Sequence, residues 1–303
     1  MQKIRQIIGQ YGEENFYISF SGGKDSTVLS ALVDMALPEN QIPRVYANTG
    51  IELNMIRDFV QERARNDERF EIIAPSRSIK SILENEGYPF KSKSHAQWVD
   101  KYNRNGKTIG VLQYLGERTD KAPWQAQRSC PKGLRYQFTD ECKIKISDKC
   151  CLRLKEEPLN QWGKENNKPY TIIGIMQSEG GRRENAKCLS FRSGKFRAFQ
   201  PMAPLTKDWE EWFIEKFNVE ICKIYSPPYN YVRTGCKGCP FAVNLQDELD
   251  TLEKFFPNER KQCEMIWAPV YAEYRRLGYR LRKEEPPQED EQLAGQMTIY
   301  DFI

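Results

Sequence analysis

Residues 17–26 read Tyr17-Ile18-Ser19-Phe20-Ser21-Gly22-Gly23-Lys24-Asp25-Ser26, and Thr27-Val28-Leu29 follow as the opening of a helix. A short apolar run, Phe16 to Phe20, therefore ends in two adjacent glycines, a lysine, an acid and hydroxyls. Paired glycines let the backbone turn sharply and bring its N–H groups close to a bound anion. The helix behind them aims the positive end of its dipole at the same place. Ser21, Ser26 and Thr27 offer hydroxyl donors, Lys24 a mobile positive charge and Asp25 a carboxylate suited to magnesium. A pyrophosphate or sulfate group is the natural guest of such a nest. The alternative is an ordinary Gly-rich turn from strand to helix. The Walker pattern is not met, since it needs four residues between its first glycine and its Gly-Lys pair.

Outward from this loop, apolar runs of strand length alternate with helical periodicity. A helix is expected over 3–11, a strand over 16–20 and a helix over 24–35, with Val28, Leu29, Leu32 and Val33 as its apolar face. A second strand, 43–47, ends in Asn48-Thr49-Gly50 and precedes a helix over 54–65. A third strand, 70–73, precedes a helix over 78–84. This alternation predicts an α/β fold built on a doubly wound, Rossmann-like parallel sheet. Ligands of such sheets bind beyond the carboxyl ends of the strands, where the Gly-Gly loop and Asn48-Thr49-Gly50 both fall. From about residue 88 to 167 the pattern weakens, and this stretch is expected to be an inserted lobe. Regularity returns with a strand over 170–175, followed closely by Gly180-Gly181. A helix over 207–217 carries Trp209, Trp212 and Phe213 on a stripe expected to be core, and helices follow over 245–256 and 258–277. Residues 1–245 are thus expected to form the nucleotide-binding domain, 246–282 C-terminal helices, and 283–303 a solvated linker with a tail.

A chain of 303 residues with 39% hydrophobic and 29% charged content has the make-up of a globular protein. No apolar stretch approaches the ~20 residues that span a bilayer. The N-terminal segment has no apolar export core, so a cytoplasmic location without membrane partners is expected. Nine cysteines in such a compartment argue against structural disulfides and for metal or iron–sulfur ligation. A single histidine, His95, excludes a metal site made of several histidines. The net charge of +4 allows anionic partners without indicating nucleic acid.

Ser21-Gly22-Gly23-Lys24-Asp25-Ser26 resembles the PP-loop of ATP pyrophosphatases, an adenine nucleotide alpha-hydrolase-like fold. With lysine in its fourth position and Asn48-Thr49-Gly50-Ile51-Glu52 after the next strand, it resembles the phosphoadenosine-phosphosulfate (PAPS) reductase branch. Matching segments are scattered over residues 15–245. In that family the turn at Asn48, Thr49 and Gly50 is similar to the adenosine-binding edge. Gly174-Ile175-Met176-Gln177-Ser178-Glu179, followed by Arg182 or Arg183, resembles a family segment that brings charge toward the nucleotide. Met176 stands where the family has its first arginine. Pro201-Met202-Ala203-Pro204-Leu205-Thr206 and Trp209 resemble the family's Pro-(Ile/Leu) turn and tryptophan helix.

Cys150-Cys151-Leu152-Arg153-Leu154-Lys155-Glu156-Glu157-Pro158-Leu159 resembles the Cys-Cys block of cluster-bearing adenylylsulfate reductases, and Gly235-Cys236-Lys237-Gly238-Cys239-Pro240 resembles its Gly-Cys-x-x-Cys partner. The resemblance implies that Cys150, Cys151, Cys236 and Cys239 hold one 4Fe-4S cluster. Four thiolates are the usual complement for it. Ligation by both adjacent cysteines is expected to need a strained backbone. A zinc ion on four cysteines is the alternative, as is replacement of Cys150 or Cys151 by Cys130 or Cys142. Cys188, Cys222 and Cys263 lie in surroundings typical of buried small hydrophobes.

The family's sulfonucleotide reductases carry a nucleophilic cysteine near the C-terminus, whereas no cysteine follows Cys263 here. The reading is therefore an adenylating PP-loop enzyme that transfers sulfur, similar to the PAPS-reductase-like enzymes of DNA phosphorothioation and to those that thiolate transfer RNA. Gly22, Gly23, Ser21 and Ser26 would hold the β,γ-pyrophosphate of ATP. Lys24 would stabilise charge at the α-phosphate, and Asp25 would steady Mg2+. A sulfur-donor protein is an implied partner. Lys101, Arg104, Lys107, Lys121, Arg128, Lys132 and Arg135 face either a nucleic-acid backbone or solvent. The tail Gln296-Met297-Thr298-Ile299-Tyr300-Asp301-Phe302-Ile303 resembles peptides that dock into bacterial sliding clamps; otherwise it folds back on its own domain. Two further functions stay open: reduction of PAPS or adenylylsulfate (APS) to sulfite, and non-catalytic nucleotide sensing tethered to a clamp.

Overall fold

Alternation along Phe16–Phe20 (β1) sends Phe16 and Ile18 to one face of a sheet and Tyr17 to the other, and all three are buried. A strand covered on both faces belongs inside an α/β sheet. The computed structural model, which describes residues 1–118, 129–180 and 183–283, places it there. The other strands are Arg44–Ala47 (β2), Phe70–Ile73 (β3), Tyr170–Ile172 (β4), Leu189–Arg192 (β5) and Lys195–Phe199 (β6). Their order is β3-β2-β1-β4-β6-β5, parallel throughout except for β5 against β6. The chain winds one way from β1 through β2 to β3, and the other way from β4 to β6. Direction reverses between β1 and β4, which opens a crevice at their carboxyl ends.

Helices cover both faces. Gln2–Tyr11 (α1) and Lys24–Ala36 (α2) pack with the Lys207–Lys216 helix on Phe16, Ile18, Ile172 and Phe199. Val28, Leu29, Leu32 and Val33 are all buried, as the periodicity predicts. Each contributes about 1.5–3 kcal/mol by leaving water, which anchors α2 along its length. On the opposite face Tyr17 and Val45 meet Trp162 of the Glu157–Glu165 helix.

Asn54–Asn66 (α3) and Ile79–Glu86 (α4) complete the predicted elements of the first half, with ends shifted by one or two residues. Two departures have physical causes. The strand expected over 170–175 stops at Ile172, and beyond it Gly174 lies directly against the Asp25 carbonyl. The β5–β6 hairpin was not anticipated. Its turn, Ser193-Gly194, has φ of 51° and 74°, both left-handed, as a tight hairpin turn requires. Flanking Arg192 and Lys195 hide the strand alternation.

Residues 88–167, weakly patterned in sequence, contain Lys93–Asn105 (α5) and Ile109–Leu115 (α6). Their buried positions mix aliphatic with polar and aromatic residues: His95, Ala96 and Val99 on α5, and Val111, Tyr114 and Leu115 on α6. Phe90, Val99, Leu115 and Phe138 share one core with Leu249, Trp267, Tyr271 and Tyr274 of the C-terminal helices Leu245–Phe255 and Pro257–Leu277. The tryptophan stripe is only partly core. Phe213 is buried and Trp209 stacks on it, but Trp212 is 50% exposed because it lies a quarter-turn off that face.

His95 lies in the core of the lobe although its sequence neighbours are polar. Ser92 caps α5 by accepting the His95 N–H at 3.2 Å. The ring is then held by Tyr114 Oη at 2.8 Å from Nδ1 and by Gln137 Oε1 at 2.7 Å from Nε2. Burial, chiefly, pushes its pKa down to about 4. The unfolded chain therefore binds a proton near pH 6.5 that the native chain refuses until about pH 4. Stability is fully present above pH 6.5 and is lost as the pH falls through this window. Urea midpoints at pH 7 and pH 5 should differ by an amount equivalent to roughly 2 kcal/mol more in the wild type than in His95→Gln. Equal pH dependence in both would contradict the neutral, buried ring.

Candidate functional site

The loop leaving β1 enters the crevice between β1 and β4 and caps α2 at Gly23. Gly22 adopts φ +70°, and a Cβ there would stand 2.7 Å from Val60 Cγ2 and 2.9 Å from Ile56 Cγ2 of α3. No side chain fits. Hydroxyls knit the loop. The Ser21 N–H donates to Ser26 Oγ at 3.1 Å, and the two serine hydroxyls meet at 3.0 Å. Ser26 and Thr27 donate their hydroxyls to the Gly23 carbonyl at 2.9 and 3.0 Å. These hydroxyls thus shape the cradle from beneath. The Lys24 N–H donates to Tyr225 Oη at 3.2 Å, and Tyr225 in turn pairs with Thr234. Neither Tyr225 nor Thr234 stands out in sequence, because a loop two hundred residues away supplies both.

Charged groups surround this loop. The Lys24 ammonium lies 3.7 Å from Glu211 and 4.0 Å from Glu210, and 5.9 Å from the Tyr225 ring centre. Glu210 is 1% exposed and lies against the Asp25 carboxyl. Burial first, then Asp25, push its pKa up to about 8, partly offset by Lys24. Beyond β4, Glu179 accepts from Arg183 and sits 3.2 Å from Arg233. Its other oxygen accepts the Met176 N–H at 3.3 Å. The structure therefore gathers Ser21, Gly22, Gly23, Lys24, Asp25, Ser26, Thr27 and Gly174 at one point, with Arg183 on the segment that leaves it. Arg182 lies outside the described residues. A cavity of about 530 Å3 has no residue of this loop in its lining, which includes Ile175, Arg183, Asn185, Leu189, Phe191 and Gln200.

Asn48, Thr49 and Gly50 form the turn at the adjacent end of β2. Asn48 Oδ1 accepts the Gly50 N–H at 3.1 Å, and Gly50 takes φ +76° with open space where a Cβ would be. Thr49 donates its N–H and hydroxyl to Glu52 at 3.1 and 2.5 Å. Glu52 pairs as an isolated antiparallel bridge with Cys236, and the Lys237 N–H donates to the Ile51 carbonyl at 2.7 Å. The Asn48-Thr49-Gly50 turn and the Cys-x-x-Cys loop are thereby one unit.

Cys150 and Cys151 lie within electrostatic range of Cys236 and Cys239 of this unit. The thiols of Cys150 and Cys151 share a hydrogen bond, which holds Cys151 down to about 6 with help from Lys93 and Lys155 and holds Cys150 above the usual range. Burial pushes Cys236 up to about 11 and raises Cys239. Cys150 feels the charges of Cys151, Cys239 and Cys236, and both Cys236 and Cys239 feel Cys151. Lys155 lies 3.6 Å from Glu52, and the charges of Cys236, Glu52 and Cys151 raise its pKa. The strained backbone expected at the adjacent pair is absent. Cys151 has φ −64° and ψ −38°, ordinary helix, and a π-helical turn over Leu152–Glu156 follows. Cys130 sits instead beside Arg135 and Lys91, and Cys142 donates to the Ile144 carbonyl at 3.3 Å. Cys222 and Cys263 are buried as expected, whereas Cys188 is half-exposed.

Four neighbouring thiols match the donor set of an iron–sulfur cluster in kind and number. Among the described residues no three His, Cys, Asp or Glu side chains close on a position for a single metal ion. A four-iron cluster bonds each thiolate to its own iron, so its donors need not meet at one point.

The basic residues of the lobe are partly neutralised. Arg104 pairs with Asp100 and Lys107 with Glu117, while Lys101 lies over the Trp98 ring. Lys132 and Arg135 are exposed. Lys121, Arg128 and the 296–303 tail lie outside the described residues. Among those residues, no helix is long and apolar enough to cross a membrane.

A family model described as phosphoadenosine phosphosulfate reductase domain matches residues 15–139 and 132–242. No relative is found among curated proteins. Similar solved structures include a phosphoadenylyl-sulfate (PAPS) reductase from Candida auris in a phosphate complex, 12% identical, covering 69% of this chain and 76% of that one, with TM-score 0.39. The U34-tRNA thiolase NcsA from Methanococcus maripaludis, with its 4Fe-4S cluster, is 16% identical over 89% of this chain and 77% of its own, with TM-score 0.36. The FMN adenylyltransferase of Candida glabrata is 13% identical with TM-score 0.41, covering 73% of this chain and 54% of that one.

The crevice geometry depends on Gly174. A Cβ there would stand 2.9 Å from the Asp25 carbonyl oxygen, a backbone atom that cannot swing away. Gly174→Ala should lower stability by about 1–3 kcal/mol in chemical denaturation, by forcing α2 away from the end of β4. An unchanged midpoint would show that the two backbones are not packed this tightly.

Proposed function

The chain belongs to the phosphoadenosine phosphosulfate reductase family, and from that premise we propose that it is a PP-loop enzyme that binds ATP or a sulfonucleotide and performs adenylation-linked sulfur transfer. The observation that carries this reading is the cradle at Ser21-Gly22-Gly23. Its backbone sits at the amino end of α2 with Lys24 beside it, in the crevice where the sheet reverses. The β,γ-pyrophosphate lies in that cradle. A substrate oxygen attacks the α-phosphate; the new O–P bond forms as the bond to pyrophosphate breaks, and Lys24 stabilises the charge that develops. A sulfur nucleophile from a donor protein then displaces AMP. Asp25 steadies Mg2+. Asn48, Thr49 and Gly50 border the adenosine, and Arg182 and Arg183 meet its anionic end. Cys150, Cys151, Cys236 and Cys239 would hold the 4Fe-4S cluster, which supplies a site for binding or delivering sulfur. Nucleic acid is the acceptor class of this reading, with a sliding clamp docked on the 296–303 tail as a further partner, in the cytoplasm.

Sulfite formation from PAPS or APS would need an attacking thiolate. Cys263 is fully buried, and burial raises its thiol to about 12; burial also raises Cys188. Neither is poised for that role.

In an ATP–pyrophosphate exchange assay the wild type should turn over, and Lys24→Ala should lose on the order of 100-fold or more. Robust sulfite release from labelled PAPS with thioredoxin would replace the transfer reading with the reductase one. Nucleotide binding without either reaction would favour a sensing module. Separately, anaerobically purified protein should show broad visible absorbance with about four irons and four sulfides per chain. Cys236→Ser should lose both. A colourless, zinc-containing wild type would remove the cluster from this account.

A further inference from the structure

Glu210 is a buried acid that the fold answers only weakly, with Lys24 at 4.0 Å and the Asp25 carboxyl against it. Its carboxyl is 1% exposed, and no hydrogen-bond donor reaches Oε1. Its other oxygen comes no nearer than 4.0 Å to the Lys24 ammonium, which lies closer to Glu211 at 3.7 Å. Facing it at hydrogen-bonding range is the Asp25 carboxyl, which offers no N–H. Leaving a carboxylate oxygen buried without a partner is costly. The position is nonetheless firmly built. Thr206 caps the Lys207–Lys216 helix by accepting the Trp209 N–H at 3.3 Å, and Phe213 is buried one turn on. Its helix fixes Glu210, while Oε1 is left without a partner.

We propose that Asp25 and Glu210 together form a divalent-cation site, and that the cation is Mg2+ bound jointly with the phosphates of the nucleotide. This rests on the nucleotide reading of the loop and adds a residue and a ligand shell to it. Mg2+ is commonly held by one or two carboxylates, the rest of its octahedron being phosphate oxygens and water. The geometry matches that habit. Asp25 stands in the first turn of α2 beside the cradle, and Glu210 stands across from it. Among the described residues no third His, Cys, Asp or Glu joins them to complete a site. The protein therefore supplies part of the shell, and cation and phosphate must complete it together. A cation there also takes over the charge of Glu210, which frees Lys24 to turn toward the phosphates.

Binding of a fluorescent adenosine triphosphate analogue, measured in EDTA and then in Mg2+, tests this on the full chain. The wild type should bind at least about tenfold more tightly with Mg2+. Glu210→Gln and Asp25→Asn should lose most of that enhancement while still binding in EDTA, and Glu210→Asp should recover part of it. Glu215→Gln, the same charge change on another exposed residue of that helix, should keep it. Thermal melting confirms that each variant is folded, and Asp25→Asn decides the matter if Glu210→Gln is not. A wild type that binds the nucleotide equally with and without Mg2+ overturns the cation site while the nucleotide reading stands. Full enhancement in Glu210→Gln overturns the role of that residue. No binding in either buffer overturns the nucleotide reading and the cation site with it.

Discussion

The meeting of Gly174 with the Asp25 carbonyl is the constraint on which the candidate site depends. A strand end on one side of the sheet reversal touches a helix start on the other, with no room for a single carbon between them. That contact sets the depth at which the amino end of α2 sits between β1 and β4. Val28, Leu29, Leu32 and Val33 hold the rest of the helix down, so its first turn cannot drift. The shape of the Ser21–Ser26 cradle is therefore a tertiary property. Its glycines permit the turn, but α3 beneath Gly22 and β4 against Asp25 choose where it points.

The cysteine loop is held by a different device. Trp267 donates its ring N–H to the Lys237 carbonyl at 3.0 Å, Tyr274 donates to the Pro240 carbonyl at 2.8 Å, and Tyr271 donates to the Gly238 carbonyl. Three aromatic donors of the Pro257–Leu277 helix thus satisfy three of the four carbonyls of residues 237–240, in an irregular loop. Lys237 itself is buried and reaches Gln262 at 2.6 Å and Glu259 at 3.5 Å. Glu259 also accepts the Asn54 N–H at 3.1 Å, at the amino end of α3. A carboxylate at a helix amino end is favourable in its own right. The C-terminal helix consequently braces both the cysteine loop and the helix that follows the Asn48–Glu52 turn. This is a physical reason for the helix to belong to the site although none of its residues reaches the cradle.

How much of this was legible in the sequence differs from place to place. The doubly wound half was readable because Phe16–Phe20, Arg44–Ala47 and Phe70–Ile73 are bounded by turn residues and separated by helical periodicity. The cradle was readable because only glycine tolerates its φ and its crowding. Glu210 was not, because an acid in an amphipathic helix reads as surface until the neighbouring element is known. Tyr225, Thr234 and Arg233 were hidden for the same reason. Their partners are Lys24 and Glu179, far away along the chain. The lobe resisted reading because polar and aromatic residues interrupt its aliphatic core positions, with His95 bonded between Tyr114 and Gln137 next to buried Ala96 and Val99.

An anion site rimmed by buried acids looks contradictory, and the resolution lies in what each acid holds. Glu179 orients Arg183 and Arg233, and without it two guanidinium groups would have to be ordered when the ligand binds. Ordering long side chains opposes binding by about 0.5–1.5 kcal/mol each. A prearranged pair avoids that term, while the net charge of the group stays positive. Glu210 differs, since it organises no arginine and holds Lys24 only loosely. It is nonetheless kept dry, against Asp25 and 4.0 Å from Lys24, so the charges at the start of α2 set its protonation.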